Sequence, residues 1–288
     1  MQHQENLHQE IVQKITGVTS LPCQRLMPSR REGHMEYWLV NLDNDNSAFL
    51  KIATGSRAKK MIADEVFFYD TVGPKKFLPR YYGGIVTEEY SALLIEDLSN
   101  FYWAPPWDHS RVIQATEALE EVRLIRNSQI SRGLSEFKNI FMGWEKIKKN
   151  PEFILASGIR DINWLDKKLD TLIEYSASAF HDSKDLIHFD VRSDNLCFSK
   201  NQAILIDWAW YCRGPFDLQM ATWALTLSTE EGGPMPQDFL PNMSPQYVAL
   251  IAGYFAQFVG VPCPDGSHVR DLQFKQLVAA LEWFDKIC

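Results

Sequence analysis

The sequence contains no Gly-x4-Gly-Lys-Ser/Thr, no Cys-x-x-Cys pair and no apolar run of membrane-spanning length, and each absence removes a class of function. Without the first, a Walker-type nucleotide site is disfavoured. Without the second, the five scattered cysteines (Cys23, Cys197, Cys212, Cys263, Cys288) suggest neither a disulfide framework nor a zinc site. Without the third, no membrane partner is expected. The polar start Met1-Gln2-His3-Gln4-Glu5-Asn6 is not that of a signal peptide, so a cytoplasmic location is the expectation. Blocks of Lys/Arg interleaved with aromatics are also missing, and the formal net charge is −8, so nucleic acid is not an expected partner. Neither internal repeats nor low-complexity segments occur, and no oligomeric state is implied.

What remains is an ordinary globular chain of 288 residues, 45% hydrophobic and 23% charged, long enough for two lobes or one large domain. An amphipathic helix opens it, with Leu7, Ile11, Val12 and Ile15 at helical spacing. Strand-like runs follow at Cys23 to Met27, Glu36 to Leu42 and Ala48 to Ile52, the last two joined by the turn Asp43-Asn44-Asp45-Asn46. A helix is expected over Ser56 to Thr71, then strands at Tyr81 to Val86 and Tyr90 to Ile95. From about residue 108 the period is helical almost throughout, with Leu165, Leu169, Leu172 and Ile173 on one face and a further helix opening at Ser244-Pro245. A small β-rich part followed by a large α-rich part is an α+β arrangement. The expected division is residues 1–97 and 98–288, with a hinge at about 95–100.

One hairpin interrupts the helical part and carries the chemistry. His188-Phe189-Asp190-Val191-Arg192-Ser193-Asp194-Asn195 leads into the apolar Leu196-Cys197-Phe198, the turn Ser199-Lys200-Asn201-Gln202, the apolar Ala203 to Ile206, and Asp207. Phosphoryl transfer needs a loop Asp to accept the proton of the acceptor hydroxyl, an Asn five residues on for one Mg²⁺, and a second Asp after a short hairpin for the other. Asp190, Asn195 and Asp207 fit those roles in order. His188 fits a hydrogen bond to the loop backbone. The same letters also describe a polar turn, so their weight comes from company upstream.

That company is Lys51, in the strand-like Phe49-Leu50-Lys51-Ile52-Ala53, where an unpaired ammonium would be costly. Glu65, fourteen residues later on the expected helix, is its natural ion-pair partner. Alone, Lys51 also reads as a snorkelling strand-end residue and Glu65 as part of a solvated face. The run Leu93 to Leu98 ends the last strand, and its backbone, Ile95 C=O and Asp97 N–H, is a candidate to pair with adenine. A phosphate-covering loop is poorly represented: Ser29-Arg30-Arg31-Glu32-Gly33-His34 holds a single glycine.

With Lys51, Glu65, Glu96-Asp97-Leu98, the Asp190/Asn195 loop and Asp207 in this order, the chain resembles the aminoglycoside phosphotransferase and choline kinase group of kinase-like enzymes, over roughly residues 20–285. Asp190 to Cys197, Asp207-Trp208-Ala209-Trp210 and Glu231-Gly232-Gly233-Pro234 are similar to a bacterial subgroup of generic phosphotransferase type. The resemblance implies a protein-kinase-like bilobal fold, ATP or GTP with Mg²⁺, and transfer of the γ-phosphoryl group to a small-molecule hydroxyl, with an aminoglycoside or amino alcohol as candidate acceptor. It also assigns Asp217 to bracing the catalytic loop. There are departures: the antibiotic-modifying members usually have Gly where this chain has Phe189, and Glu120-Glu121-Val122-Arg123 replaces a familiar Leu-His-Ala.

For the acceptor, Asp194, Glu230, Glu231 and Asp238 offer an acidic rim, or merely solvated acids, and Trp208 and Trp210 offer aromatic walls. Trp223 fits the core better. A catalytically silent nucleotide-binding module is the alternative; it predicts loss of Asp190, Asn195, Asp207 or Lys51, and none is lost. A kinase acting on polypeptide is disfavoured by the short interval from Asp207 to Pro215.

Overall fold

A computed structural model describes residues 7–19, 21–26, 34–42, 46–181, 183–262 and 269–288. The turn at Asp43 to Asp45, the candidate phosphate loop at Ser29 to Gly33 and Cys263 lie outside the described residues. In chain order the elements are α1 (Leu7–Thr16), β1 (Cys23–Leu26), β2 (Met35–Asn41), β3 (Ser47–Ala53), α2 (Ser56–Val72), β4 (Tyr81–Val86), β5 (Ser91–Glu96), β6 (Tyr102–Trp103), α3 (His109–Arg123), α4 (Lys138–Phe141) and α5 (Gly143–Lys149). Then come α6 (Glu152–Ala156), α7 (Ile162–Ser178), β7 (Leu186–Ile187), β8 (Leu196–Phe198), β9 (Ala203–Leu205), β10 (Cys212–Arg213), α8 (Phe216–Ser228), α9 (Pro236–Phe239), α10 (Pro245–Ala256) and α11 (Val269–Ile287). The chain is an α+β protein.

It divides into two compact units: residues 1–103 with 195–210, and residues 104–194 with 211–288. In the first, five antiparallel strands lie in the order β1-β2-β3-β5-β4. Strand β3 shows why the sheet is buried on both faces. Ala48, Leu50 and Ile52 alternate onto one face, where Ile11 and Val12 of α1 complete an apolar cluster. Lys51 points to the other face, towards α2. Consecutive glycines in β4 let both helices come close: a Cβ on Gly83 would stand 2.8 Å from Ile15 Cγ2 of α1, and one on Gly84 2.4 Å from Val66 Cγ2 of α2. The later segment adds β8 and β9, joined by the turn in which Ser199 N–H donates to Gln202 O at 3.0 Å. Strand β8 pairs with both β9 and β6. The two-residue β6 falls just beyond the expected hinge, where the sequence suggests no strand.

The second unit is helical around α10, whose residues Tyr247 to Gly253 are all buried. Trp144 of α5 inserts beside it and donates from Nε1 to Ala249 O at 2.8 Å. Its short antiparallel ladder pairs Ile187 with Cys212 and Leu186 with Arg213, and so aligns the chain just before His188. Among the described residues no helix is long and apolar enough to cross a membrane, and Cys23, Cys197, Cys212 and Cys288 are free thiols.

Candidate active site

In the first unit the structure brings Lys51, Glu65 and Asp207 together. Lys51 Nζ lies 3.0 and 3.2 Å from the two Glu65 carboxylate oxygens and 3.8 Å from Asp207 Oδ1. Both partners of the pair are buried, Glu65 to 1% exposure. Burial pulls the Lys51 pKa down, but Glu65 and Asp207 more than offset it and the ammonium ends above its ordinary value. Burial likewise raises Glu65; Lys51 opposes this, and the like charge of Asp207 adds to it.

Asp207 follows β9 with φ +64°. That conformation is fixed from both sides. Before it, Ile206 N–H donates to Asn195 O at 3.0 Å, tying the two proposed metal-binding positions through the backbone. After it, Trp208 is fully buried, stacks on Phe68 of α2 at 4.0 Å and donates from Nε1 to Leu205 O at 3.1 Å. Trp208 is therefore a core residue, not an acceptor wall. Asn195 is 4% exposed, immediately before β8.

The strand end that was a candidate for adenine behaves differently from its letters. Ile95 pairs with Phe49 in the β3–β5 ladder, and Asp97 N–H, in the same phase, donates to Ser47 O at 3.3 Å. The Asp97 carboxylate accepts from Ser47 Oγ at 2.6 Å and from Ser99 N–H at 2.9 Å, and these bonds hold its pKa below the ordinary value although burial opposes them. Glu96, one residue out of phase, turns its N–H to the other edge and donates to Arg80 O at 2.8 Å.

In the second unit, Asp190 stands at the end of a buried turn. His188 is fully buried, and its Nδ1 accepts the Asp190 N–H at 3.3 Å, the backbone role expected of it. Arg192 Nε lies 3.3 Å from Asp190 Oδ1 and 3.2 Å from Asp194 Oδ1, a guanidinium astride two carboxylates. The brace assigned to Asp217 is made two residues later: Phe189 N–H donates to Gln219 Oε1 at 2.8 Å, while Asp217 is exposed. Helix periodicity explains the swap, since α8 turns residue 219 inward and residue 217 outward.

One further acceptor-side expectation changes, and the core position expected of Trp223 is seen. Glu230 accepts from Ser193 Oγ at 2.5 Å and from Trp107 Nε1 at 2.7 Å, so this acid braces the loop between Asp190 and Asn195. Trp223 is fully buried and meets Trp107 edge-on at 5.0 Å. Asp194, Glu231 and Asp238 are exposed. Sequence reasoning missed Arg192, Gln219 and the Trp107–Glu230–Ser193 chain. Only Arg192 had a signal, its place inside the loop motif.

This arrangement, a buried lysine–glutamate pair beside a carboxylate at a hairpin end, on a five-stranded sheet followed by a helical part, sits in a fold similar to that of solved small-molecule phosphotransferases. Solved structures match over nearly the whole chain. An aminoglycoside phosphotransferase is 13% identical with a TM-score of 0.62, covering 99% of this chain and 98% of its own. A choline/ethanolamine kinase family protein from Mesorhizobium loti is 12% identical with a TM-score of 0.62, covering 99% and 97%. A spectinomycin phosphotransferase solved with ADP and spectinomycin is 11% identical with a TM-score of 0.61, covering 97% and 98%. No family model and no curated protein matches the chain significantly.

Proposed function

We propose that the chain is a small-molecule O-phosphotransferase that moves the γ-phosphoryl group of ATP or GTP, with Mg²⁺, to an alcohol hydroxyl. The observation that carries this reading is the buried Lys51–Glu65 pair with Asp207 3.8 Å away. A buried ion pair adds little to stability over an apolar pair of the same shape, so its presence calls for another reason. Fixing one ammonium beside a further carboxylate supplies that reason: Lys51 would bind the α/β-phosphates, Glu65 keeps it aimed, and Asp207 would help hold Mg²⁺.

The donor set fits Mg²⁺. Asn195 and Asp207 offer hard oxygen ligands, and among the described residues no three His, Cys, Asp or Glu side chains gather, so the rest of the shell would come from phosphate and water. Bound there, Mg²⁺ would neutralise charge on the phosphates. Asp190 orients the acceptor hydroxyl and takes its proton, and Arg192 holds that carboxylate in place. With Asp97 N–H committed to the sheet, the adenine edge shifts by one residue, to Glu96 C=O and Leu98 N–H. The names of the fold neighbours favour an amine-bearing alcohol, such as an aminoglycoside or amino alcohol, as acceptor.

Calorimetry with MgATP and MgGTP, followed by ADP or GDP release across a panel of amino alcohols, aminoglycosides, nucleosides and sugars, tests the reading. Asp190→Asn should lower turnover by about 10²–10⁴-fold while nucleotide binding persists. A wild type that binds neither nucleotide sinks the proposal. Binding without Asp190-dependent transfer would make the chain a silent nucleotide-binding module.

A further inference from the structure

Helix α2 buries two polar side chains one turn apart, and the mechanism uses only the first. Glu65 holds Lys51. Tyr69, four residues later on the same helix face, is 2% exposed, and its hydroxyl has no hydrogen-bond partner among the described residues. Such buried orphans are uncommon in native proteins and cost stability. A phenylalanine would fill the same space without that cost, so the hydroxyl calls for a reason other than packing.

The Tyr69 ring is fixed in place: it stacks on Tyr81 of β4 at 5.2 Å and meets Phe68 edge-on at 6.0 Å. A long side chain on a helix leans back over the preceding turn, which points Tyr69 towards Glu65. Burial raises the Tyr69 pKa well above its ordinary value, and the charges of Glu65 and Asp207 and the Tyr81 phenol add to this. The group therefore stays an O–H. It is a donor set near two carboxyl groups, one of which, Asp207, is otherwise loosely aimed: Lys51 Nζ, at 3.8 Å from Asp207 Oδ1, is too far for a hydrogen bond that would fix its orientation.

We propose that Tyr69 is a positioning residue whose O–H donates to the Asp207 carboxylate through one water and so steadies Asp207 for Mg²⁺. The role rests on the phosphotransferase reading, which puts Asp207 at the metal. Carboxylates that ligate metals are themselves hydrogen-bonded by outer groups, and losing such a group weakens metal binding by about 10- to 100-fold. The orphan hydroxyl is then a cost carried in the fold for the sake of the metal.

The test compares the full chain with Tyr69→Phe. Without metal the variant should melt at or above the wild-type temperature, because it removes the orphan hydroxyl and keeps both ring contacts. In calorimetry its affinity for ATP with Mg²⁺ should fall about tenfold or more, while its affinity for ATP in EDTA stays within about twofold of wild type. Mn²⁺ alone, followed by electron paramagnetic resonance, should bind more weakly by a similar factor. Raising Mg²⁺ should restore turnover, which a packing defect would not allow. A metal-free Tyr69→Phe that melts below wild type would show the hydroxyl bonded within the fold, and equal metal affinities in the two proteins would remove Tyr69 from the metal site; either result overturns the proposal. If the wild type binds Mn²⁺ but no nucleotide, the phosphotransferase reading fails while the Mn²⁺ comparison still decides the role of Tyr69. A wild type that binds neither overturns both.

Discussion

Lys51 and Glu65 are letters whose meaning depends on what surrounds them. Exposed, the pair would be worth under about 1 kcal/mol; at 7% and 1% exposure each needs the other to offset its loss of water. Lys51→Met should lower stability by about 3–5 kcal/mol in a denaturant titration, because it strands a buried carboxylate beside Asp207. Adding Glu65→Gln should restore a good part of that loss, and a double variant as unstable as the sum of the singles would show the two are not coupled. Glu230 makes a second case. Its two short bonds are charge-assisted, so Glu230→Gln should cost about 1–2 kcal/mol and change Trp107 fluorescence; an unaltered spectrum would mean the bond to Trp107 is absent. The pairing of Lys51 with Glu65 was legible because an ammonium on a buried strand needs a carboxylate partner, whereas the roles expected of Asp190, Asn195 and Asp207 rest on residue type and chain order. Trp208 and Glu230 were misread as acceptor walls and rim because nothing local distinguishes an aromatic or acid that faces solvent from one committed to Phe68 or to Trp107 and Ser193.

Helix α1 illustrates how a short amphipathic segment is anchored. His8 stacks on Trp38 of β2 at 3.8 Å, next to the Arg25–Glu36 ion pair at 2.9 Å. Burial lowers the His8 pKa; Glu36 opposes this and Arg25 reinforces it. A histidine whose folded pKa is depressed contributes stability that is present above its unfolded value, about 6.5, and lost as pH falls through that range. The melting temperature should therefore drop more between pH 7.5 and 5.5 in wild type than in His8→Phe, which keeps the stack without the proton. Equal drops would remove His8 from the account. Contact between α5 and α10 is tighter still: a Cβ on Gly143 would stand 1.7 Å from Gly253 O, so Gly143→Ala should destabilise by about 3 kcal/mol or more, read as a lower denaturation midpoint. Long elements such as α2 and α7 were legible because apolar residues recur along them at helical spacing, and α10 because its apolar run opens at the Ser244-Pro245 start signal. Strand β6 was not, since two residues become a strand only by pairing with β8, about ninety-five positions away. That Asp97 N–H is committed to β3 was not legible for a related reason: strand phase is set by the partner strand, not by the letters.

The first unit is assembled from two stretches of chain, and this has a consequence for how the molecule folds. Residues 195–210 supply β8 and β9, the partner for β6, the cluster of Cys197 and Ile204 with Leu98, and Trp208 against Phe68. They also bond back to the sheet side of the unit, where Leu205 N–H donates to Phe77 O at 2.9 Å. Without them, residues 1–103 would expose the ring of Phe68 and leave β6 with no ladder, and a lone two-residue strand has no stability of its own. The fragment 1–103 should accordingly fail to give a cooperative melt, whereas the full chain gives one. A gentler version keeps the chain whole: Trp208→Ala removes a fully buried indole and should cost about 3–5 kcal/mol, enough to unfold the unit in many proteins of this size. Because Asp207 is flanked by that indole, Trp208→Ala should also weaken MgATP binding in calorimetry. A fragment 1–103 that melts cooperatively, with dispersed amide resonances, would show that the later segment is an addition to the unit and not part of its core.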